Sequence, residues 1–369
     1  LRDVYKRQGQ VSSPLDMIIV MQVGATQAQI DAVCEVIRSR GVDPLPLPGE
    51  GRRAVGIPAN LDPALRIDLE GVLNRLDGVS KVTQTSSPFK LASREYYPQP
   101  TVISVKGVDI GPETLTVMAG PCSVESYDQF RQSADMVQAS GVKVLRGGAF
   151  KPRTSPYSFQ GLQEEGLRII RQVAEETGLV TITEVMSADM VETVADHVDI
   201  LQIGARSMQN FPLLIEAGKS GKPVFLKRGP SATVDEFLLA SEYVLNQGNP
   251  HVMLCERGIV AFDRAYTRNT LDLNVVPVLD ELTHLPIMVD PSHGTGVAKY
   301  VAPLAKAAVV AGADGLMIET HPDPRSALSD GSQALEPAAF AQLMEDIKVL
   351  AQVMGRRLRK KITSNVRKF

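Results

Sequence analysis

The chain has 369 residues, 44% of them hydrophobic and 22% charged, with a formal net charge of -3. This is ordinary globular composition with ample length for a buried core. No apolar run approaches the roughly 18 residues of a membrane span, and three cysteines (Cys34, Cys122, Cys255) cannot build a disulfide framework, so a spanning protein and a secreted disulfide scaffold are excluded and a reducing cytoplasm is the expected compartment.

The opening LRDVYKRQ lacks a starting Met and any apolar periodicity, so residues 1–16 are expected to be a disordered or non-native extension. Met17 to Val82 then reads as βαββαβ. MIIVMQV is a strand, and Ile30, Val33, Cys34 and Ile37 recur at helical spacing before Gly41 ends the helix. Pro44, Pro46 and Pro48 disfavour a regular strand, whereas Arg53 to Ile57 can form one. Leu65 to Leu76 has a helical period, Gly78 stops it, and Val79 to Val82 is a short strand. Residues 17–82 therefore predict a ferredoxin-like unit. Sensing of a small molecule and simple subunit packing are both open roles for it.

Residues 83–100 are polar and proline-bearing and read as a linker. TVISVKGVDIG, from Thr101, predicts a hairpin that caps the next domain. From Leu115 on, eight short strands rich in β-branched residues alternate with helical segments. Eight βα units predict a (β/α)8 barrel over residues 101–352. No G-x-G-x-x-G opens the first unit, which weighs against an open dinucleotide-binding sheet. The tail, 353–369, carries seven basic residues and no acid. It has no interleaved aromatic before Phe369, so a solvated helix end is expected rather than a nucleic-acid arm.

Barrel chemistry sits at the C-terminal ends of strands. Residues 101–350 hold 20 Lys/Arg against 31 Asp/Glu, yet Arg146, Lys151, Arg153, Arg206, Lys227, Arg228 and Arg257 all fall at that one mouth. Arginine forks suit carboxylate and phosphate, and such a cluster is costly without anions to fill it. A ligand set with two phosphates, or phosphate plus carboxylate, is implied. One or two of these cations are expected to pair instead with Glu184 and Glu256.

A second constellation is Cys122, His293, Glu319 and Asp330, from the ends of strands 1, 7 and 8, which adjoin when the barrel closes. Thiolate, imidazole and two carboxylates suit Mn²⁺, Fe²⁺, Co²⁺ or Zn²⁺ rather than Mg²⁺.

The strings GPCS, RGGAFKPRTSPYSFQG, QIGAR, LKRG, CERG, DPSHGTG and IETHPDP resemble the type I 3-deoxy-D-arabino-heptulosonate 7-phosphate (DAHP) synthases that carry an N-terminal ferredoxin-like domain. The likeness covers about residues 101–350 by motif and residues 17–82 by pattern only. It implies a metal-dependent condensation of phosphoenolpyruvate with D-erythrose 4-phosphate that releases phosphate, the entry step of the shikimate pathway. It implies that Arg206, Lys227 and Arg257, beside Gln202, hold phosphoenolpyruvate, and that Arg146 and Lys151 reach its carboxylate. Lys151 is also a candidate proton donor. Arg153, Thr154 and Ser155 would position the sugar phosphate, and Glu184 or Glu256 would activate water. Tyrosine or phenylalanine is implied as a feedback effector on a homo-oligomer, plausibly a tetramer.

The rival reading is 3-deoxy-manno-octulosonate 8-phosphate synthase. Many of its members carry Asn where this chain has Cys122, and a K-A-N-R type loop where this chain has Lys151-Pro152-Arg153. A Schiff-base aldolase on Lys227 or Lys151 is a different reaction class. A non-catalytic regulator fits poorly with a complete ligand tetrad.

Overall fold

The computed structural model describes residues 16–47, 53–57, 61–84, 88–94, 97–152 and 155–357. The chain divides into two compact units, Leu1–Pro88 and Phe89–Phe369.

The first unit runs β1 (Met17–Met21), α1 (Gln27–Arg38), β2 (Leu45–Leu47), β3 (Ala54–Ile57), α2 (Pro63–Leu73) and β4 (Val79–Gln84). Its sheet has the antiparallel order β2-β3-β1-β4. Alternation along β1 turns Met17, Ile19 and Met21 inward. They pack with Ile30, Val33, Cys34 and Ile37 of α1 and with Leu69 and Leu73 of α2. Thr26 and Gln29 form a reciprocal capping box on α1, and Asp62 accepts from the Ala64 and Leu65 N–H groups at the start of α2. This is the expected ferredoxin-like βαββαβ. The proline-bearing stretch does form a strand, against the sequence expectation. Leu45–Leu47 pairs with β3 alone, and an edge position tolerates Pro46.

The second unit begins earlier than the sequence suggests. Phe89 and Ala92, placed in the expected linker, are buried in the barrel core. The Lys90 and Ala92 N–H groups donate to Glu242, and Thr283 donates to the Ala92 carbonyl. His284 bridges Thr101 and the Leu91 carbonyl. Polar composition concealed one apolar anchor at Phe89.

The hairpin β5 (Ile103–Val105) and β6 (Val108–Ile110) turns tightly through Lys106 and Gly107, both at positive φ. Eight parallel strands follow: β7 (Thr116–Gly120), β8 (Val144–Arg146), β9 (Val180–Val185), β10 (Ile200–Ile203), β11 (Val224–Lys227), β12 (Val252–Glu256), β13 (Ile287–Val289) and β14 (Gly315–Glu319). They close into a barrel, with β14 registered on β7 from Gly315 opposite Thr116 to Glu319 opposite Gly120. Met118, Phe225, Met253, Met288 and Met317 fill the interior together with Ile103, Val105 and Ile110 of the hairpin. Outside, apolar faces of α3 (Tyr127–Ala139), α4 (Glu164–Thr177), α5 (Val191–Ala195), α6 (Phe211–Lys219), α7 (Val234–Leu245), α8 (Val275–Leu282), α10 (Ala298–Ala311) and α11 (Pro337–Val353) pack on the strands, and the short α9 (Pro291–Thr295) follows β13. Among the described residues no helix is long and apolar enough to cross a membrane.

The start of the basic tail is docked rather than merely solvated. Arg356 binds the Gly312 and Ala313 carbonyls and lies 3.3 Å from Asp314, and the Arg357 backbone pairs with Glu113 and Leu115. The basic residues from 359 onward lie outside the described residues.

Asp314 gives a stability prediction. Burial raises its carboxyl to about 6, although the Ile287 N–H and Arg356 favour the charge. Its unfolded value is near 3.8. Between these values the folded chain holds the extra proton, so stability falls as pH rises, and the penalty is complete above about 6. Asp314→Asn is therefore expected to gain on the parent between pH 4 and pH 8, by on the order of 3 kcal/mol. Thermal melts of both proteins at the two pH values check it; a pH-independent difference would contradict it.

Candidate active site

The strand ends of β13, β14 and β7 adjoin, as the sequence requires. Gly120 ends β7 at φ 151°, where a Cβ would stand 2.1 Å from the Arg146 carbonyl, so β7 and β8 approach as only glycine allows. Cys122 follows, with 2% of its surface exposed. Burial, reinforced by Glu319, pushes its thiol up to about 11. The thiol donates to Asp330 Oδ2 at 3.2 Å, and Lys151 Nζ donates to its sulfur at 2.9 Å and to its carbonyl at 3.1 Å.

Glu319 ends β14 and is fully buried. Its Oε1 accepts from Arg146 Nη1 at 2.6 Å and faces His293 Nε2 at 3.3 Å, while its Oε2 accepts from Gln333 at 2.5 Å. Burial opposes the charge, but His293, Arg146 and Lys151 outweigh it and hold the carboxylate at about 2. His293 lies in α9. Its Nδ1 contacts Asp290 Oδ2 at 2.7 Å, and the same oxygen accepts from Lys227 Nζ at 2.6 Å. Burial lowers the His293 pKa, against the pull of Asp290 and Glu319. In the neutral ring with Nδ1–H donated to Asp290, the Nε2 lone pair would face a carboxylate oxygen. Two acceptors pointed at each other are reconciled by a cation between them.

The four predicted ligands thus stand as two contacting pairs, Cys122 with Asp330 and His293 with Glu319. Among the described residues no group of three or more His, Cys, Asp or Glu side chains closes on one point. Lys151 and Arg146 sit against one member of each pair.

A cavity of about 440 Å³ opens beside these pairs. Lys151, Arg206, Lys227 and Arg257 reach its wall, as do Ser155, Glu184, His293 and Asp330. Gln202 is behind the wall and donates to Glu184 Oε2 at 2.9 Å. Gly204 leaves the space that Glu184 occupies, since a Cβ there would meet Glu184 Oε1 at 2.1 Å. Arg206 donates to the Pro152 carbonyl at 2.5 Å. Arg146 is turned from the cavity to Glu319 and the Pro121 carbonyl. Arg153 and Thr154 lie outside the described residues.

Two residues at the mouth have structural partners instead. Arg228 is buried between Glu256 at 3.1 Å and Asp272 at 3.0 Å and does not line the cavity. Glu256 also accepts from the Gly258 and Asp272 N–H groups. Burial raises its carboxyl above the usual range despite these donors.

Sequence reasoning missed Arg268, Asp290 and Gln333. Arg268 lines the cavity, 3.7 Å from Asp330, yet comes eleven positions after Arg257 in a long loop. A reading confined to strand ends cannot reach it. Asp290 and Gln333 are the orienting partners of His293 and Glu319. The i,i+3 spacing from Asp290 to His293 was the one available signal.

Comparison with known proteins matches residues 98–353 to the DAHP synthetase I family and residues 17–86 to the DAHP synthase ferredoxin-like domain. A phospho-2-dehydro-3-deoxyheptonate aldolase of Thermotoga maritima is 45% identical over 92% of this chain and 99% of its own. The crystal structure of a DAHP synthase from that organism superposes with a TM-score of 0.81 at 44% identity, covering 93% of this chain and 99% of that one. A truncated form of the synthase gives 0.68 at 46% identity over 72% of this chain and 98% of its own. A 2-dehydro-3-deoxyphosphooctonate aldolase of Syntrophotalea carbinolica is 34% identical over 64% of this chain and 91% of its own.

Proposed function

The chain belongs to the DAHP synthetase I family, and from that premise we propose that it condenses phosphoenolpyruvate with D-erythrose 4-phosphate and releases phosphate, the entry step of the shikimate pathway. The observation that carries this reading is the cavity ringed by Lys151, Arg206, Lys227, Arg257 and Arg268, with His293 and Asp330 in its wall. Five cations match two phosphates and a carboxylate.

Cys122, His293, Glu319 and Asp330 would hold a divalent transition ion, and the donor chemistry fits: a thiol, an Nε2 lone pair and two carboxylates. Such an ion supplies Lewis-acid polarisation of the aldehyde oxygen. Arg206, Lys227 and Arg257 bind the phosphate of phosphoenolpyruvate, and Lys151 its carboxylate. Arg146 acts through Glu319, holding it as an anion. Carbon 3 of phosphoenolpyruvate attacks the aldehyde carbon, and Lys151 gives a proton to the aldehyde oxygen. Glu184, oriented by Gln202, takes a proton from the water that adds to carbon 2. The carbon 2–oxygen bond to phosphate then breaks as the carbon 2 hydroxyl passes its proton to the leaving phosphate, giving the ketone and inorganic phosphate. Glu256 is tied to Arg228, which favours Glu184 for the water. The Schiff-base alternative is disfavoured because Lys227 is salt-bridged to buried Asp290 at 2.6 Å and Lys151 Nζ is held on the Cys122 sulfur at 2.9 Å.

Substrate choice tests this reading. Phosphate release from phosphoenolpyruvate should be far faster with erythrose 4-phosphate than with arabinose 5-phosphate. Arg206→Ala should raise the KM for phosphoenolpyruvate more than that for the aldose. Equal rates with both sugars would move the chain to the octulosonate reading.

Among the described residues the ferredoxin-like unit holds no group of three His, Cys, Asp or Glu side chains that could hold a metal ion, and a regulatory role for it is proposed. Tyrosine or phenylalanine should inhibit the full chain, with a coupling of order 1–3 kcal/mol. A truncation should begin at residue 88 rather than 100, because Phe89 and Ala92 belong to the barrel core. It should stay active and lose the inhibition. Equal inhibition of both forms would place the effector on the barrel.

A further inference from the structure

The loop after β7 carries Cys122, and the loop after β14 carries Asp330. A small buried network ties these loops together one residue away from each ligand. Ser123 Oγ lies 2.7 Å from Ser329 Oγ. Glu125, whose side chain is 10% exposed, accepts at Oε1 from Ser123 Oγ at 3.2 Å and from the Leu328 N–H at 2.9 Å. Its Oε2 lies 3.6 Å from His321 Nε2, a buried nitrogen with no hydrogen-bond partner. His321 Nδ1 accepts from the Asp323 N–H at 3.0 Å, so the neutral ring carries its proton on Nε2, toward Glu125. One carboxylate therefore receives groups from both loops.

Asp330 needs such support. It sits at φ 48°, in the left-handed region that side-chain-bearing residues rarely adopt. A conformation of this kind persists where its surroundings fix it. The preceding residues, Leu328 and Ser329, are the ones bound by Glu125 and Ser123.

We propose that Glu125 is a positioning residue that holds Asp330 beside Cys122 and so sets the affinity of the site for its divalent ion. The proposal rests on the metal reading of the Cys122, His293, Glu319 and Asp330 set. Glu125 touches neither substrate nor ion; it acts through the backbone of the Asp330 loop.

The test is a Co²⁺ titration of the chelator-stripped full chain. It follows the near-ultraviolet band of a thiolate bound to cobalt, with thermal melts alongside. The parent should show the band. Glu125→Ala should keep the band and its melting temperature but bind Co²⁺ about 10–100-fold more weakly, the usual effect of losing a partner that orients a ligand from behind. Glu125→Gln keeps an oxygen for Leu328 and Ser123 and should bind within about threefold of the parent. Should Glu125→Ala not fold, Glu125→Asp, which shortens the reach, should weaken binding in the same direction. Parent-like affinity in Glu125→Ala, or in Glu125→Asp if that variant decides, would overturn the proposal, as would a Glu125→Gln as weak as Glu125→Ala. A parent without the cobalt–thiolate band would sink the metal reading itself, and the proposal with it.

Discussion

Cys122→Ala is expected to lower the condensation rate by about a thousandfold or more while the chain stays folded. Cys122 is buried beside Asp330, and it is the one sulfur in the proposed ligand set. Lewis-acid stabilisation is worth several kcal/mol of barrier, and each 1.36 kcal/mol is a factor of ten. Removing one ligand empties the site at working metal concentrations and forfeits that stabilisation. The fold should tolerate the change, because the barrel core is built by other residues, Met118, Phe225 and Met253 among them. Bound metal, initial rate and circular dichroism, measured on one preparation, check all three parts. A variant that kept both metal and rate would remove Cys122 from the site.

Lys151→Ala is expected to lower kcat by about 10²–10⁴-fold, the usual weight of a positioned general acid. Its Nζ lies 2.9 Å from the Cys122 sulfur, and the side chain also reaches the cavity wall. In the structure the ammonium solvates the thiol. With the thiolate committed to an ion, the same ammonium is free to donate into the cavity. Lys151→Arg should not rescue the rate, since a planar guanidinium is a poor proton donor near neutral pH. Steady-state kinetics separate the roles: a raised KM with parent kcat would make Lys151 a binding residue only.

The barrel was legible because each strand is a short β-branched run followed by a helical period, and eight such units leave few topologies. The meeting of the strand ends that carry Cys122, His293 and Glu319 was legible because β13, β14 and β7 must adjoin once the barrel closes. The features that escaped have physical reasons. Arg228 and Arg257 are one strand apart at the same mouth, and nothing local says that Glu256 and Asp272 bury the first and leave the second on the cavity. Arg268 enters from a long loop whose path no periodicity encodes. Phe89 looked like a linker residue because a single apolar anchor has no period to detect. Prolines around Leu45–Leu47 argued against a strand, and only its edge position, a tertiary fact, permits one.

The proposed function stands or falls on an ion held by Cys122, His293, Glu319 and Asp330 that serves the condensation organised by the cationic cavity. The direct measurement is the initial rate of phosphate release from phosphoenolpyruvate and erythrose 4-phosphate, taken on the parent chain, after chelation, and after adding back Mn²⁺, with borohydride present in a parallel set. Chelation should abolish turnover, Mn²⁺ or a similar transition ion should restore it, and borohydride should trap nothing. Full turnover in excess chelator, with a borohydride adduct on Lys151 or Lys227, would contradict it.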